Sequence, residues 1–128
     1  MGLKHTSPLV VLDVAHNADG IRQLVQQAEV TEHRELHIII GMVKDKEVEK
    51  VLNLLPKEAM YYFTKAQIPR ALSEDELAVK AAIANLKGES WSDVNEALKA
   101  ALSKAHKEDM IIVCGSVFLV GEVNTSLH

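Results

Sequence analysis

The chain has 128 residues, enough to enclose one hydrophobic core and too few to build two, so a single domain is expected. Apolar residues make up 48%, charged residues 25% and aromatics only 4%, a composition that excludes a disordered chain and points to an aliphatic core. A formal charge of −4, with no block of Lys or Arg, argues against nucleic acid or an anionic membrane as the main partner.

Residues 1–8, MGLKHTSP, mix Gly, Lys, His, Thr, Ser and Pro and read as a linker before the core begins. Leu9 to Val14 then reads as a strand buried on both faces, interrupted only by Asp13. Asn17-Ala-Asp-Gly starts a helix whose inner face holds Ile21, Leu24, Val25 and Ala28, with Arg22, Gln23, Gln26 and Gln27 outside. Leu36 to Met42 is a second strand, and Gly41 falls where the backbone turns or approaches a neighbour closely. After the loop Val43-Lys44-Asp45-Lys46, a second helix buries Val48, Val51, Leu52 and Leu55 and stops at Pro56.

Ala59 to Thr64, AMYYFT, is the third strand. A longer loop, Lys65 to Leu72, carries Pro69 and Arg70 and meets Ser73, which with Glu76 forms a capping box for a third helix. That helix shows Leu77, Ala81, Ile83 and Ala84 and is expected to end at Gly88. A brief edge strand is placed at Glu89-Ser90-Trp91. Ser92 and Asp93 cap a fourth helix with Val94, Ala97, Leu98, Ala101 and Leu102 on one face. Met110 to Cys114 is the last strand, Gly115-Ser116 a turn and Val117 to Val123 a closing helix, and residues 124–128 carry no core signal. Strands alternating with helices predict an α/β fold, a three-layer sandwich on a mainly parallel sheet of five or six strands with right-handed crossovers.

In an open parallel sheet, ligands bind outside the carboxyl ends of the strands. That rule selects four loops, which carry Asp13, His16 and Asn17; Gly41 with Lys44, Asp45 and Lys46; Lys65 and Arg70; and Gly115 with Ser116. The first loop is also the start of a helix, where backbone N–H groups and the helix dipole favour an anion; the plainer reading makes Asn17 an N-cap and Asp13 a turn residue. Familiar catalytic patterns are missing. No Gly-rich loop ends in Gly-Lys-Ser/Thr, so phosphate binding of the P-loop type and ATP hydrolysis by this chain alone are not expected. Ser116 lacks the glycines of a nucleophile elbow. Cys114 precedes a helix start, yet a phosphatase-type loop would need Arg where Val120 stands. His5, His33, His37, His106 and His128 show no metal-ligand spacing and read as surface or filler residues, and no metal site is expected. One cysteine, no apolar leader in MGLKHTSPL and no apolar run near ~18 to 20 residues fit a cytoplasmic setting.

Taken together, LDVAHNADG, GMVKDKE, PRALSEDEL and CGSVFLVGE resemble the C-terminal domain of folylpolyglutamate synthase and dihydrofolate synthase, a branch of the Mur ligase family. The resemblance places residues 9–123 in that domain, with 124–128 as a tail. It implies an ATP-dependent ligase that activates a folate or dihydropteroate carboxylate as an acyl phosphate, which the amine of L-glutamate attacks. ATP and Mg2+ would be held mainly by a separate N-terminal P-loop domain, and the domain alone would be inactive.

By motif, Asp13 would help hold ATP, and His16 would lie near nucleotide and glutamate as the catalytic candidate, positioning rather than attacking. Asn17 joins them on the cofactor side. Ser116 would contact glutamate, with Arg70 and Lys46 as further substrate candidates. Two departures are visible. Ala18 stands where the family usually has Pro, which leaves the helix start intact, and a family Arg upstream of the first strand has no counterpart. A binding module for nucleotide or glutamate without catalysis, and a hydrolase or phosphatase using Cys114, are the competing readings.

Overall fold

The computed structural model describes residues 7–44 and 47–127. Five strands, β1 Leu9–Leu12, β2 Leu36–Ile40, β3 Met60–Phe63, β4 Gly88–Ser90 and β5 Met110–Cys114, form one parallel sheet in the order β1-β5-β2-β3-β4. The helices are α1 Ala18–Val30, α2 Val48–Leu54, α3 Glu74–Ile83, α4 Val94–Lys104 and α5 Val117–Gly121, followed by a 3-10 turn at Thr125–Leu127. The order explains the layers. Each crossover from β1 through β4 steps the same way along the sheet, whereas the return from β4 to β5 runs backwards, so right-handed connections require α4 on the opposite face.

The side chains follow. On one face Ile21 and Leu24 of α1, Val51 and Leu52 of α2 and Leu77 and Ala81 of α3 pack on Ile38, Ile40, Tyr61, Phe63 and Ile112. On the other, Val94, Ala97, Leu98 and Ala101 of α4 and Leu119 of α5 cover Ile39, Tyr62, Ile111 and Val113. Alternate residues of β2 and β5 thus enter different cores, which is why β5 is continuously apolar and β2 is apolar but for His37.

Several boundaries differ from expectation for local reasons. β1 is an edge strand that ends at Leu12, and Val14 beyond it is exposed rather than buried. Helix α3 is closed by Asn85, three residues before the expected stop at Gly88: Asn85 takes φ 65°, the Leu86 N–H donates to Ala81 O at 2.9 Å and the Asn85 N–H to Ala82 O at 3.0 Å. This is a Schellman closure with Asn in the glycine role. Gly88 instead opens β4, where a Cβ would lie 2.0 Å from Tyr61 O. Ile83 points away from the core at 79% exposure. In the 124–128 segment, Leu127 packs against the α4 and α5 core, contrary to the absence of signal there.

His37 also departs from its expected role as a surface or filler residue. Its ring is buried at the amino-terminal edge of the sheet, where Nε2–H donates to Asp109 Oδ2 at 2.9 Å and the Tyr62 hydroxyl donates to Nδ1 at 2.9 Å. Asp109 further accepts from the backbone N–H groups of His106 at 2.9 Å and Glu35 at 3.2 Å. Burial alone would raise the Asp109 carboxyl, but the hydrogen bonds from His37, His106 and Glu35 outweigh it and hold it below the usual carboxylate value. The clasp joins β2, β3 and the turn into β5, at the edge remote from the carboxyl ends of the strands.

Candidate functional site at the carboxyl edge of the sheet

The chain leaves β1 toward α1 on one face and leaves its neighbour β5 toward α5 on the other, so a crevice opens between the two outgoing loops. The Gly115 N–H donates to Ala15 O at 2.8 Å and stitches the loops together. Gly115 is required here: its φ is +105°, and a Cβ would stand 2.4 Å from Gly41 O. Ser116 follows, 4% exposed, its Oγ accepting from the N–H of Phe118 at 3.0 Å and Leu119 at 3.4 Å as the N-cap of α5.

In the first loop, Asp13 Oδ1 accepts from the Ala15 N–H at 2.8 Å, leaving its second oxygen without a partner among the described residues. Asn17 Oδ1 accepts from the Gly20 N–H at 2.9 Å and caps α1. His16 is exposed, and its Nδ1–H donates to Val14 O at 3.2 Å, which leaves Nε2 facing outward as an acceptor. Asp13, His16 and Asn17 line an open cavity of about 450 Å³ beside α1, with Gln23 and Gln27 farther along the helix.

The start of α1 is less ready for an anion than its sequence suggests. The Ala18 N–H donates to Glu47 Oε1 at 3.3 Å, and the Gly20 N–H is taken by Asn17. The Glu47 carboxylate already rests against the helix dipole there, and Asp13 puts a carboxylate on the cavity wall. The cavity therefore suits hydroxyl or amine donors better than phosphate. Glu47 was invisible as a contributor to this corner from sequence, because its partner is 29 residues away.

Arg70 lies on the loop after β3. That loop is sewn to the β2 loop by Lys44 N–H to Arg70 O at 2.9 Å and Leu72 N–H to Met42 O at 2.8 Å. Its exposed side chain makes no hydrogen bond or ion pair with the described residues, so its planar fork is available for a carboxylate. Lys46, the other substrate candidate, falls outside the described residues. Four of the loops chosen from sequence thus meet at one edge, with Asp13, His16, Asn17 and Ser116 at the β1/β5 crevice and Arg70 two strands away.

Cys114 is fully buried at the end of β5, and burial, aided by the Asp13 charge, pushes its thiol up to about 12. A thiol in that state is not the nucleophile of a hydrolase or phosphatase. Among the described residues, no three His, Cys, Asp or Glu side chains gather into a group that could hold a metal ion. No helix there is long and apolar enough to cross a membrane.

Comparison with known proteins gives a consistent result. The family described as Mur ligase, glutamate ligase domain, matches residues 1–117. The chain is 32% identical over 124 residues to a probable bifunctional folylpolyglutamate synthase/dihydropteroate synthase of Haloferax volcanii, covering 94% of this chain and 15% of the relative. It is 30% identical over 119 residues to the dihydrofolate synthase/folylpolyglutamate synthase of Escherichia coli, covering 91% of this chain and 27% of the relative. A crystal structure of bifunctional folylpolyglutamate synthase/dihydrofolate synthase from Yersinia pestis superposes with a TM-score of 0.82 at 31% identity, over 98% of this chain and 30% of that one. A structure of such an enzyme with Mn, AMPPNP and L-glutamate bound superposes at 0.79 and 32%, again over 98% and 30%. The chain spans less than a third of the length of these relatives. With the parallel sheet, its crevice and the match over residues 1–117 all in agreement, the chain belongs to the Mur ligase glutamate ligase domain family.

Proposed function

We propose that this chain is the part of an ATP-dependent folylpolyglutamate synthase/dihydrofolate synthase that presents L-glutamate to an activated folate or dihydropteroate carboxylate and completes the nucleotide site. The observation that carries this reading is the set of groups gathered at the carboxyl edge of the sheet: an outward imidazole nitrogen and a carboxylate on the cavity beside α1, the Ser116 hydroxyl at the start of α5 after the adjacent strand, and a free guanidinium on the loop after β3. These groups orient and neutralise; none is placed as an attacking nucleophile. Joining an amine to an activated carboxylate needs that kind of help, since orientation and charge complementarity carry most of the rate.

Within this reading, Ser116 and Arg70 hold glutamate, with Lys46 as a further contact. Asp13 accepts from donor groups of the nucleotide rather than its phosphates, and His16 stands between nucleotide and amino acid while Asn17 fixes the turn that carries both. The phosphates and their divalent ion belong to an N-terminal P-loop domain of the same enzyme, because the α1 amides of Ala18 and Gly20 already have acceptors. Val14, Val117 and Phe118, 52%, 54% and 45% exposed, rim the crevice with apolar surface suited to being covered by that domain. One relative has Mn, AMPPNP and L-glutamate bound, which supports a ligase using nucleotide, divalent metal and glutamate, and this chain is the counterpart of 30% of it. The setting is cytoplasmic, and the chain alone is inactive.

The test is glutamate-limited kinetics on the full-length enzyme carrying this domain. His16→Ala and Ser116→Ala should each lower the rate of glutamate addition at least tenfold, on the scale of one lost transition-state contact. The unfolding midpoint should change little in His16→Ala, whereas Ser116→Ala should lose about 0.5–2 kcal/mol with the α5 N-cap, so its rate is read under conditions where the variant is fully folded. Wild-type rates in both variants would refute the site.

A further inference from the structure

Helix α5 runs from one proposed glutamate contact to the loop that carries the other, and its geometry gives a role to a residue outside the site. Arg70 and Ser116 follow β3 and β5, which are separated only by β2, so their loops lie two strand spacings apart, about 10 Å. A five-residue helix and its two flanking residues cover about 9 Å at 1.5 Å per residue, nearly the same span. The path is marked by contacts. Ser116 caps the start of α5 at the end of β5. Leu119 then lies over the end of β2, where a Cβ on Gly41 would meet Leu119 Cδ1 and Cδ2 at 3.2 Å.

Glu122, the residue after α5, reaches the loop beyond β3: its Oε2 accepts from the Gln67 N–H at 2.8 Å. The same residue is anchored from behind, since Asn95 Nδ2–H donates to Glu122 O at 3.0 Å and Asn95 Oδ1 accepts from the Asn124 N–H at 2.7 Å. Gln67 is held on its other side by its own Nε2–H groups, which donate to Ser92 O at 3.0 Å and Lys65 O at 3.2 Å. The loop is therefore fixed at both ends. Glu122 holds its first half at Gln67, and the Met42 and Lys44 backbone holds residues 70–72, the Arg70 carbonyl being itself an acceptor at this second anchor three residues on.

We propose that Glu122 is a positioning residue for the amino-acid substrate, fixing the Arg70 loop at a set distance from Ser116 by way of α5. The proposal rests on the reading that Ser116 and Arg70 contact glutamate. A dicarboxylate held at both ends is sensitive to any slack between its two contacts.

The experiment compares Glu122→Ala, Glu122→Gln, Arg70→Ala and Ser116→Ala in the full-length enzyme, measuring KM for L-glutamate and for ATP. It also follows hydrogen exchange at the Gln67 amide in each Glu122 variant. Glu122→Ala should raise the glutamate KM about tenfold, the scale of one lost hydrogen bond, with the ATP KM within about twofold of wild type. Exchange at Gln67 should quicken in that variant. Glu122→Gln keeps an acceptor for the Gln67 N–H and should restore both readouts. An unchanged glutamate KM in Glu122→Ala, while Arg70→Ala raises it, overturns the proposal and leaves the site standing. Equal rises in both KM values, or no rescue by Gln, reduce Glu122 to a general stabilising residue and also overturn it. No effect from Arg70→Ala and Ser116→Ala together refutes the site itself.

Discussion

Replacing Asp109 with Ala should destabilise the fold sharply while leaving the carboxyl edge of the sheet intact. The side chain is 1% exposed and is the acceptor for three N–H groups: His37 Nε2 and the backbone amides of His106 and Glu35. His37 can recover by shifting its proton to Nδ1 and donating to Tyr62. The two backbone amides have no such choice, and each unsatisfied buried donor costs about 1–3 kcal/mol. Water can reach Glu35, which is exposed, more easily than the strand behind it, so the expected loss is about 2–4 kcal/mol. That is a large share of the ~5–15 kcal/mol typical of a domain.

Urea unfolding followed by far-UV circular dichroism should show the midpoint falling with an unchanged slope. The pH dependence gives an independent arm. Asp109 is held below its unfolded value, so its stabilisation is full above about pH 4 and is lost as pH falls through the folded value. In Asp109→Asn that part of the acid slope should vanish. The site should be spared, because the five residues of β5 put it about 16 Å from the clasp. A loss below about 1 kcal/mol in Asp109→Ala would refute the view that this clasp organises the amino-terminal edge.

Gly115→Ala should cost more than a routine surface change, about 2 kcal/mol or more, because it sets a side chain at φ +105° and 2.4 Å from Gly41 O. It should also raise the glutamate KM by displacing Ser116, measured alongside thermal unfolding; a neutral result on both would contradict the tight β5 to α5 turn. Cys114 should resist iodoacetamide in the native chain and react on unfolding in urea at alkaline pH, read by mass spectrometry. Rapid native labelling would contradict a buried, protonated thiol and favour a nucleophilic Cys114.

What the sequence made legible was mostly local. Asn17 caps α1 through the Gly20 N–H, and Ser73 Oγ accepts from the Glu76 N–H at 3.1 Å as the S-x-x-E spacing predicts. α2 closes at Leu54, just before Pro56, and the alternation of elements predicts a parallel sheet and hence the edge where polar loops meet. What stayed hidden was non-local. The strand order puts β5 between β1 and β2, which makes β1 an edge and leaves Val14 exposed. The His37–Asp109 pair is separated by 72 residues, so no local window distinguishes this buried histidine from its scattered counterparts. The end of α3 is not legible because Gly88 is the conspicuous stop in the sequence, whereas Asn85 bears the left-handed turn and Gly88 is needed for close approach to Tyr61. Glu47 and Glu122 act on partners 29 and 55 residues away, beyond the reach of any motif.

The most direct measurement is product formation by the full-length polypeptide that carries this domain, incubated with ATP, Mg2+, L-glutamate and either dihydropteroate or a reduced folate. Mass spectrometry should find a substrate heavier by one glutamyl residue, formed only when ATP and glutamate are both present and slowed when Ser116 is changed to Ala. Absence of that product with both acceptors, in a folded full-length protein that binds ATP, would contradict the assignment of this domain to glutamate ligation.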